Sequence, residues 1–273
     1  MAQTATMLQR GFVLSPHGNI EYFDVGSGPP LIMLHPTPSS CLTYRDVAPL
    51  LAEEARVISM STMGFGQSDR PPQPYTTLHE FAQAVVWLMD GLGIEKASVY
   101  GLLTGSEIAV EVAVGWPERV DRLVLEEVFN WKTPSRRAVH ERIHRYIPEQ
   151  ADGSHLLDMW RKVGGDRTGM DLRVTTERFI NNLAVNSNEG ADIYGDTGWE
   201  GAATHAMCRY EMWDATPRIE APTLVMHTID SERGRAHPKF LDTIPRSRGV
   251  RLPNREPELW ASEIRAFLRE PGV

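Results

Sequence analysis

Long apolar runs are missing from this chain. No stretch of its 273 residues approaches the roughly 20 consecutive apolar residues that cross a bilayer. The opening MAQTATMLQR lacks the apolar centre of a secretory signal. Cysteine is nearly absent: Cys41 and Cys208 lie far apart and form no CxxC pair. That excludes a disulfide framework and a cysteine zinc site, and a cytoplasmic setting is expected. Positive charge is also short. Lys and Arg number 28 against 36 Asp and Glu, for a formal net charge of −8. Without a basic stripe, neither nucleic acid nor a membrane surface is an expected partner. Internal repeats and low-complexity tracts are lacking. The expected partner is a small-molecule substrate, with a homodimer left open.

Apolar residues, by contrast, make up 41% of the chain, enough for a substantial core. Gly11–Leu14 and Ile20–Val25 read as a hairpin around Pro16-His-Gly-Asn19. Leu31–Leu34, Arg56–Met60, Lys96–Tyr100 and Val120–Val128 read as strands. Tyr44–Ala55 and Ser106–Trp116 read as helices, as does a segment from the capping box Thr77-Leu-His-Glu80 to about Leu92. This alternation predicts an α/β fold, a mostly parallel sheet with helices on both faces. Between Trp131 and Ala215 strand patterns stop. Helices are expected over Arg136–Tyr146, Ser154–Val163 and Leu172–Val185, with a loop over Asn186–Gly201. Strands return at Pro222–His227 and Gly249–Leu252, and Pro257–Leu268 is a last helix. Residues 1–130 and 216–273 are therefore expected to form the core, and 131–215 an inserted helical lid.

Five motifs stand in order: Leu34-His-Pro-Thr-Pro-Ser-Ser40, Gly64-Phe-Gly-Gln-Ser-Asp-Arg-Pro71, Gly101-Leu-Leu-Thr-Gly105, Trp116-Pro-Glu-Arg-Val120 and Pro222–His227. With them the chain resembles the α/β-hydrolase superfamily, in particular its lid-bearing dehalogenases, epoxide hydrolases and C–C hydrolases. The resemblance implies a nucleophile on the strand-to-helix turn, an acid and a histidine. Here the nucleophile position holds Leu103. The histidine position falls in Pro253-Asn-Arg-Glu-Pro257, and the acid position falls on Ser231 or Asp230. Glu127 matches the place where some dehalogenases keep their acid.

On this resemblance the backbone N–H groups of Thr104 and Thr37 would hold a substrate oxygen, with Leu103 as a dry floor. His35 would move a proton, or only shape the oxyanion loop. Glu127 and Asp230 are further catalytic candidates, with a salt bridge and a loop cap as their structural alternatives. Trp131, His140, His144 and Trp160 are expected to line the pocket. His140-Glu-Arg-Ile-His144 has the H-E-x-x-H spacing of zinc proteases. No third ligand follows at a familiar interval, so neither a metal nor another cofactor is expected. Glu107 and Glu111, a turn apart, read as a solvated or inter-helix pair. Three functions remain: a cofactor-independent lyase, isomerase or cyclase acting on a small apolar carbonyl compound; a hydrolase with relocated or inactivated groups; and a binding protein.

Overall fold

The computed structural model describes residues 8–130, 138–139 and 142–270. Among them, eight strands form one sheet in the order β1-β2-β4-β3-β5-β6-β7-β8. β1 (Gln9–Ser15) and β2 (Gly18–Val25) form the expected hairpin, and β2 also runs antiparallel to β4 (Arg56–Met60). From β4 onward the sheet is parallel, through β3 (Pro30–Leu34), β5 (Ala97–Leu102), β6 (Val120–Glu126), β7 (Thr223–Thr228) and β8 (Ser247–Leu252). All six residues of β5 are buried, as a central parallel strand covered on both faces requires.

α1 (Leu78–Gly91) starts at a complete capping box. Thr77 accepts from the Glu80 N–H, and the Glu80 carboxylate accepts from the Thr77 N–H at 2.9 Å. α2 (Thr104–Gly115) follows β5 and packs with α1 on one face of the sheet. The last helix, Pro257–Leu268, closes the opposite face through Trp260, Ala261, Ile264 and Phe267.

Between β6 and β7 the described residues add helices and turns to the fold. α3 (Ser154–Lys162) and α4 (Leu172–Val185) lie where expected, α4 capped by the Asp171 carboxylate. Two expectations fail. Tyr44–Ala55 is not one helix but short 3-10 turns at Cys41–Tyr44 and Ala48–Leu50. Pro49 has no N–H to give and its ring crowds the preceding turn. Asn186–Gly201 is not an open loop: α5 (Ala191–Tyr194) and a 3-10 run over Gly195–Gly201 bury Trp199 and Glu200. No helix among the described residues is long and apolar enough to cross a membrane.

Candidate functional site

β5 ends in a strained turn. Leu103 sits at φ 53°, ψ −116°, a region that costs a residue with a Cβ about 1–3 kcal/mol. The surrounding glycines make room for it. A methyl at Gly105 would overlap the Leu34 carbonyl oxygen, and one at Gly101 would overlap the Gly105 carbonyl. β5 and α2 can thus approach closely only with glycine at both positions. The Leu103 N–H donates to Glu126 O at 3.1 Å, and the Ser106 hydroxyl returns to Leu103 O at 2.5 Å. The Leu103 side chain packs against the cores on both faces of the sheet.

Beside this turn lies a cavity of about 530 Å³, lined by Leu102, Leu103, Glu127, Arg255 and the Thr228–Arg233 loop without Ile229. The structure thus brings Leu103, Glu127 and Asp230 together. Glu127 is itself strained, at φ 51°. Its carboxylate accepts from the Thr228 N–H at 2.7 Å, the Thr228 hydroxyl at 3.0 Å and the Ser231 hydroxyl. Burial works to raise its pKa. The Ser231 and Thr228 donors and nearby His227 outweigh burial and hold the carboxyl below the usual range. Ser231, one of the two residues on which the resemblance places the acid, therefore donates to Glu127.

Arg255, which no sequence expectation singled out, occupies the loop where the resemblance places a histidine. Its Nε donates to Glu126 Oε1 at 2.5 Å, and its Nη2 reaches Tyr100 Oη at 3.2 Å and Glu126 Oε2 at 3.3 Å. Glu126 also takes the Trp260 indole N–H at 2.7 Å and the Tyr100 hydroxyl. Burial opposes the guanidinium charge, but Tyr100 and Glu126 overcome it and keep Arg255 firmly protonated. The readable signal was an arginine in the Pro253–Pro257 segment.

Other expected site residues lie elsewhere. His35 is 1% exposed and does not line the cavity. Its Nδ1–H donates to Pro36 O at 2.9 Å, and its Nε2 accepts the Thr62 N–H at 3.0 Å. Burial lowers its pKa to about 4. With both nitrogens engaged, His35 braces the loop, and this geometry corrects its expected part in proton transfer. The Thr37 N–H points at the Thr104 hydroxyl, 3.4 Å away. Neither threonine lines the cavity, which lies toward β6, β7 and β8. The two therefore do not form an open donor pair at that cavity.

His144 is buried in the insertion, its Nδ1 2.7 Å from Glu200 Oε1, with Lys162 Nζ 2.5 Å from the other oxygen. Trp160 meets Phe179 edge-on at 5.8 Å, joining α3 to α4. Both line helix contacts, not the elbow cavity, which corrects their expected place. Trp131 and His140 lie outside the described residues. Among the described residues no three His, Cys, Asp or Glu side chains converge as a metal site. Glu111 makes the expected inter-helix contact, accepting from Tyr210 Oη at 2.8 Å and meeting His79 at 3.0 Å. Glu107 is not solvated: it is 1% exposed and its Oε1 has no hydrogen-bond partner.

Comparison with known proteins agrees with this architecture. Residues 29–153 match the family model for the alpha/beta hydrolase fold. A 2-hydroxymuconate semialdehyde hydrolase of a Pseudomonas species is 34% identical over 140 residues, covering 50% of this chain and 49% of that protein. Haloalkane dehalogenase 2 of Mycobacterium tuberculosis is 32% identical over 117 residues, covering 43% and 41%. The chain thus spans about half the length, or less, of these curated relatives. Among solved structures, a hydrolase from Pseudomonas aeruginosa superposes with TM-score 0.75 at 22% identity, covering 96% of this chain and 98% of that one. A meta-cleavage product hydrolase from Pseudomonas fluorescens gives 0.71 at 21%, covering 94% and 97%. By the motif order, the family-model match over residues 29–153 and these structural likenesses, the chain has the alpha/beta hydrolase fold.

Proposed function

We propose that the protein is a cofactor-independent enzyme that converts a small carbonyl compound without a covalent bond to the elbow, in a lyase-, isomerase- or cyclase-type reaction. One observation carries this reading: the strained elbow is fully built, yet leucine stands at its apex and a guanidinium occupies the base loop. A saturated side chain attacks nothing. A guanidinium stays charged at any ordinary pH and takes no proton. On this reading the covalent triad is lost, and the mount remains as a binding floor.

The cavity offers Leu102 and Leu103 for an apolar chain and Glu127 as a fixed negative charge. With its acidity strengthened, Glu127 is a weak base. It suits stabilising a developing positive charge, or orienting a substrate hydroxyl through a hydrogen bond. Asp230 adds a second carboxylate at the exposed rim of the cavity. In this proposal residues 131–215 cover a core made of 1–130 and 216–273.

A second reading has its own support. The Ser231 hydroxyl donates to the Glu127 carboxylate inside the cavity, a pairing that a relocated nucleophile would use. Exposure of the whole chain to a fluorophosphonate, followed by intact-mass measurement and peptide mapping, separates the two. The non-covalent reading expects no adduct together with turnover of a small carbonyl compound. An adduct on Ser231 assigns the protein to relocated hydrolysis. Ligand binding with neither adduct nor product makes it a binding protein.

A further inference from the structure

The bonds that fix Arg255 use only part of its fork. A guanidinium carries five N–H donors. Nε and Nη2 are committed to Glu126 and Tyr100, whereas Nη1 lies outside those bonds. The Arg255 side chain keeps 40% of its surface exposed and lines the elbow cavity with Leu102 and Leu103. Its partner Glu126 is 3% exposed and is itself held by Trp260 and Tyr100. The guanidinium carbon also lies over the Trp260 ring, 5.6 Å from its centre. Arg255 is thus immobilised on one edge and open on the other, so little rotamer freedom remains to be lost when that edge engages a ligand.

The neighbouring charges leave that edge available. Glu127 takes three donors from Thr228 and Ser231, at the end of β7 and in the loop after it, and faces Arg233 Nη1 at 3.9 Å. Arg233, its guanidinium carbon 5.3 Å from the centre of the Phe129 ring, places a second cation on the same wall. Asp230 and Glu232 are exposed at the rim.

We propose that Arg255 is an anion anchor, its Nη1 donors holding the carboxylate of a small organic acid whose carbon chain lies on Leu102 and Leu103. In the family a proton-accepting histidine stands on this loop. Here the same loop supplies a permanent cation, so the position reads substrate charge and leaves proton transfer to other groups. The inference rests on the proposal that the cavity at Leu103 takes the ligand.

Butyrate and butyramide, matched in shape and differing in charge, test it. Their affinities for the whole chain are compared by ligand-observed NMR titration at pH 7.5, with circular dichroism confirming that each variant is folded. Wild type is expected to bind butyrate about tenfold more tightly than butyramide. Arg255→Lys keeps most of that preference. The paired change Glu126→Gln with Arg255→Met, which leaves no buried charge unmatched, removes the preference and keeps amide binding. Leu103→Trp, which fills the floor, abolishes both. Equal binding of acid and amide by wild type, or a preference that survives the paired change, overturns the anchor while the cavity remains the ligand site. Failure of both compounds to bind, or binding indifferent to Leu103→Trp, overturns the cavity reading and the anchor with it.

Discussion

Arg255 Nε lies 2.5 Å from Glu126 Oε1, so the loop after β8 is tied to the end of β6 by an ion pair beside the elbow. The tie crosses β7, which separates the two strands in the sheet. A neutral histidine would not satisfy Glu126 in this way. The carboxylate is almost fully buried, and arginine supplies both the charge and the planar fork that match it.

Arg255→Met alone strands that carboxylate. The expected loss is about 3 kcal/mol, at the lower end for a broken buried pair because Arg255 is partly exposed. Adding Glu126→Gln should recover most of the loss. Urea unfolding of wild type, the two single variants and the double variant measures the coupling. Additive losses would show that the pair does not hold the loop.

Leu103→Ser should not create an esterase. The new hydroxyl would occupy the apex of the turn, but no proton acceptor faces it from the Arg255 loop, and His35 is locked behind the oxyanion loop. The expected result is hydrolysis of p-nitrophenyl acetate at the rate of wild type. A rise of about a hundredfold, the least that a general base typically contributes, would show that a base does reach the elbow.

Glu107→Gln should stabilise the protein at neutral and alkaline pH. Burial raises the Glu107 carboxyl well above its ordinary value, so the folded state holds its proton more tightly than the unfolded chain. Stability from this group is full below the ordinary carboxylate pKa. It is lost as pH rises from there through the folded value. Glutamine keeps the shape without the titration. The expected gain is about 1–2 kcal/mol at pH 8, vanishing near pH 4, and thermal unfolding across that range reads it.

Two histidines act in the opposite direction. His35 and His237 both have their pKa lowered to about 4, chiefly by burial. The unfolded chain therefore takes up protons, from about pH 6.5 downward, that the folded chain refuses. Their contribution is complete above pH 6.5 and is lost as pH falls toward 4. Urea midpoints should fall steeply across that window. His237→Gln should flatten part of the slope, whereas an unchanged slope would remove His237 from the account.

Gly105→Ala tests the elbow as a packing device. The added methyl meets the backbone oxygen of Leu34, which cannot rotate away as a side chain could. A loss of about 3 kcal/mol is expected. Gly93→Ala makes an informative control: Gly93 sits at φ 67° with nothing within 4 Å of the added carbon, so it reports backbone strain alone.

Much of this fold is written locally. The Thr77–Glu80 box needs four residues to declare itself, and Leu172–Val185 forms the helix its spacing announces. Pro49 is equally visible in the sequence, and the segment that holds it forms turns in place of one helix. The elbow could be read because its glycines are demanded by backbone contacts at fixed spacing. The site could be read only in part. Leu103 and Glu127 stand beside motifs, so the chain order reveals them. Arg255 and Glu126 lie 129 residues apart, and nothing local says that they meet. His35 looked chemical because histidine at a strand end often is. Its engagement by Pro36 and Thr62 is a tertiary fact.

The close packing around the bend at Leu103 depends on Gly101 and Gly105, pressed against neighbouring backbone, and not on whatever side chain crowns it. Its tip is thus an interchangeable fitting. Cysteine, aspartate or a non-natural reactive group installed there would inherit the same place at the cavity wall without redesign of the support, which makes this scaffold a chassis for grafting new reactivity.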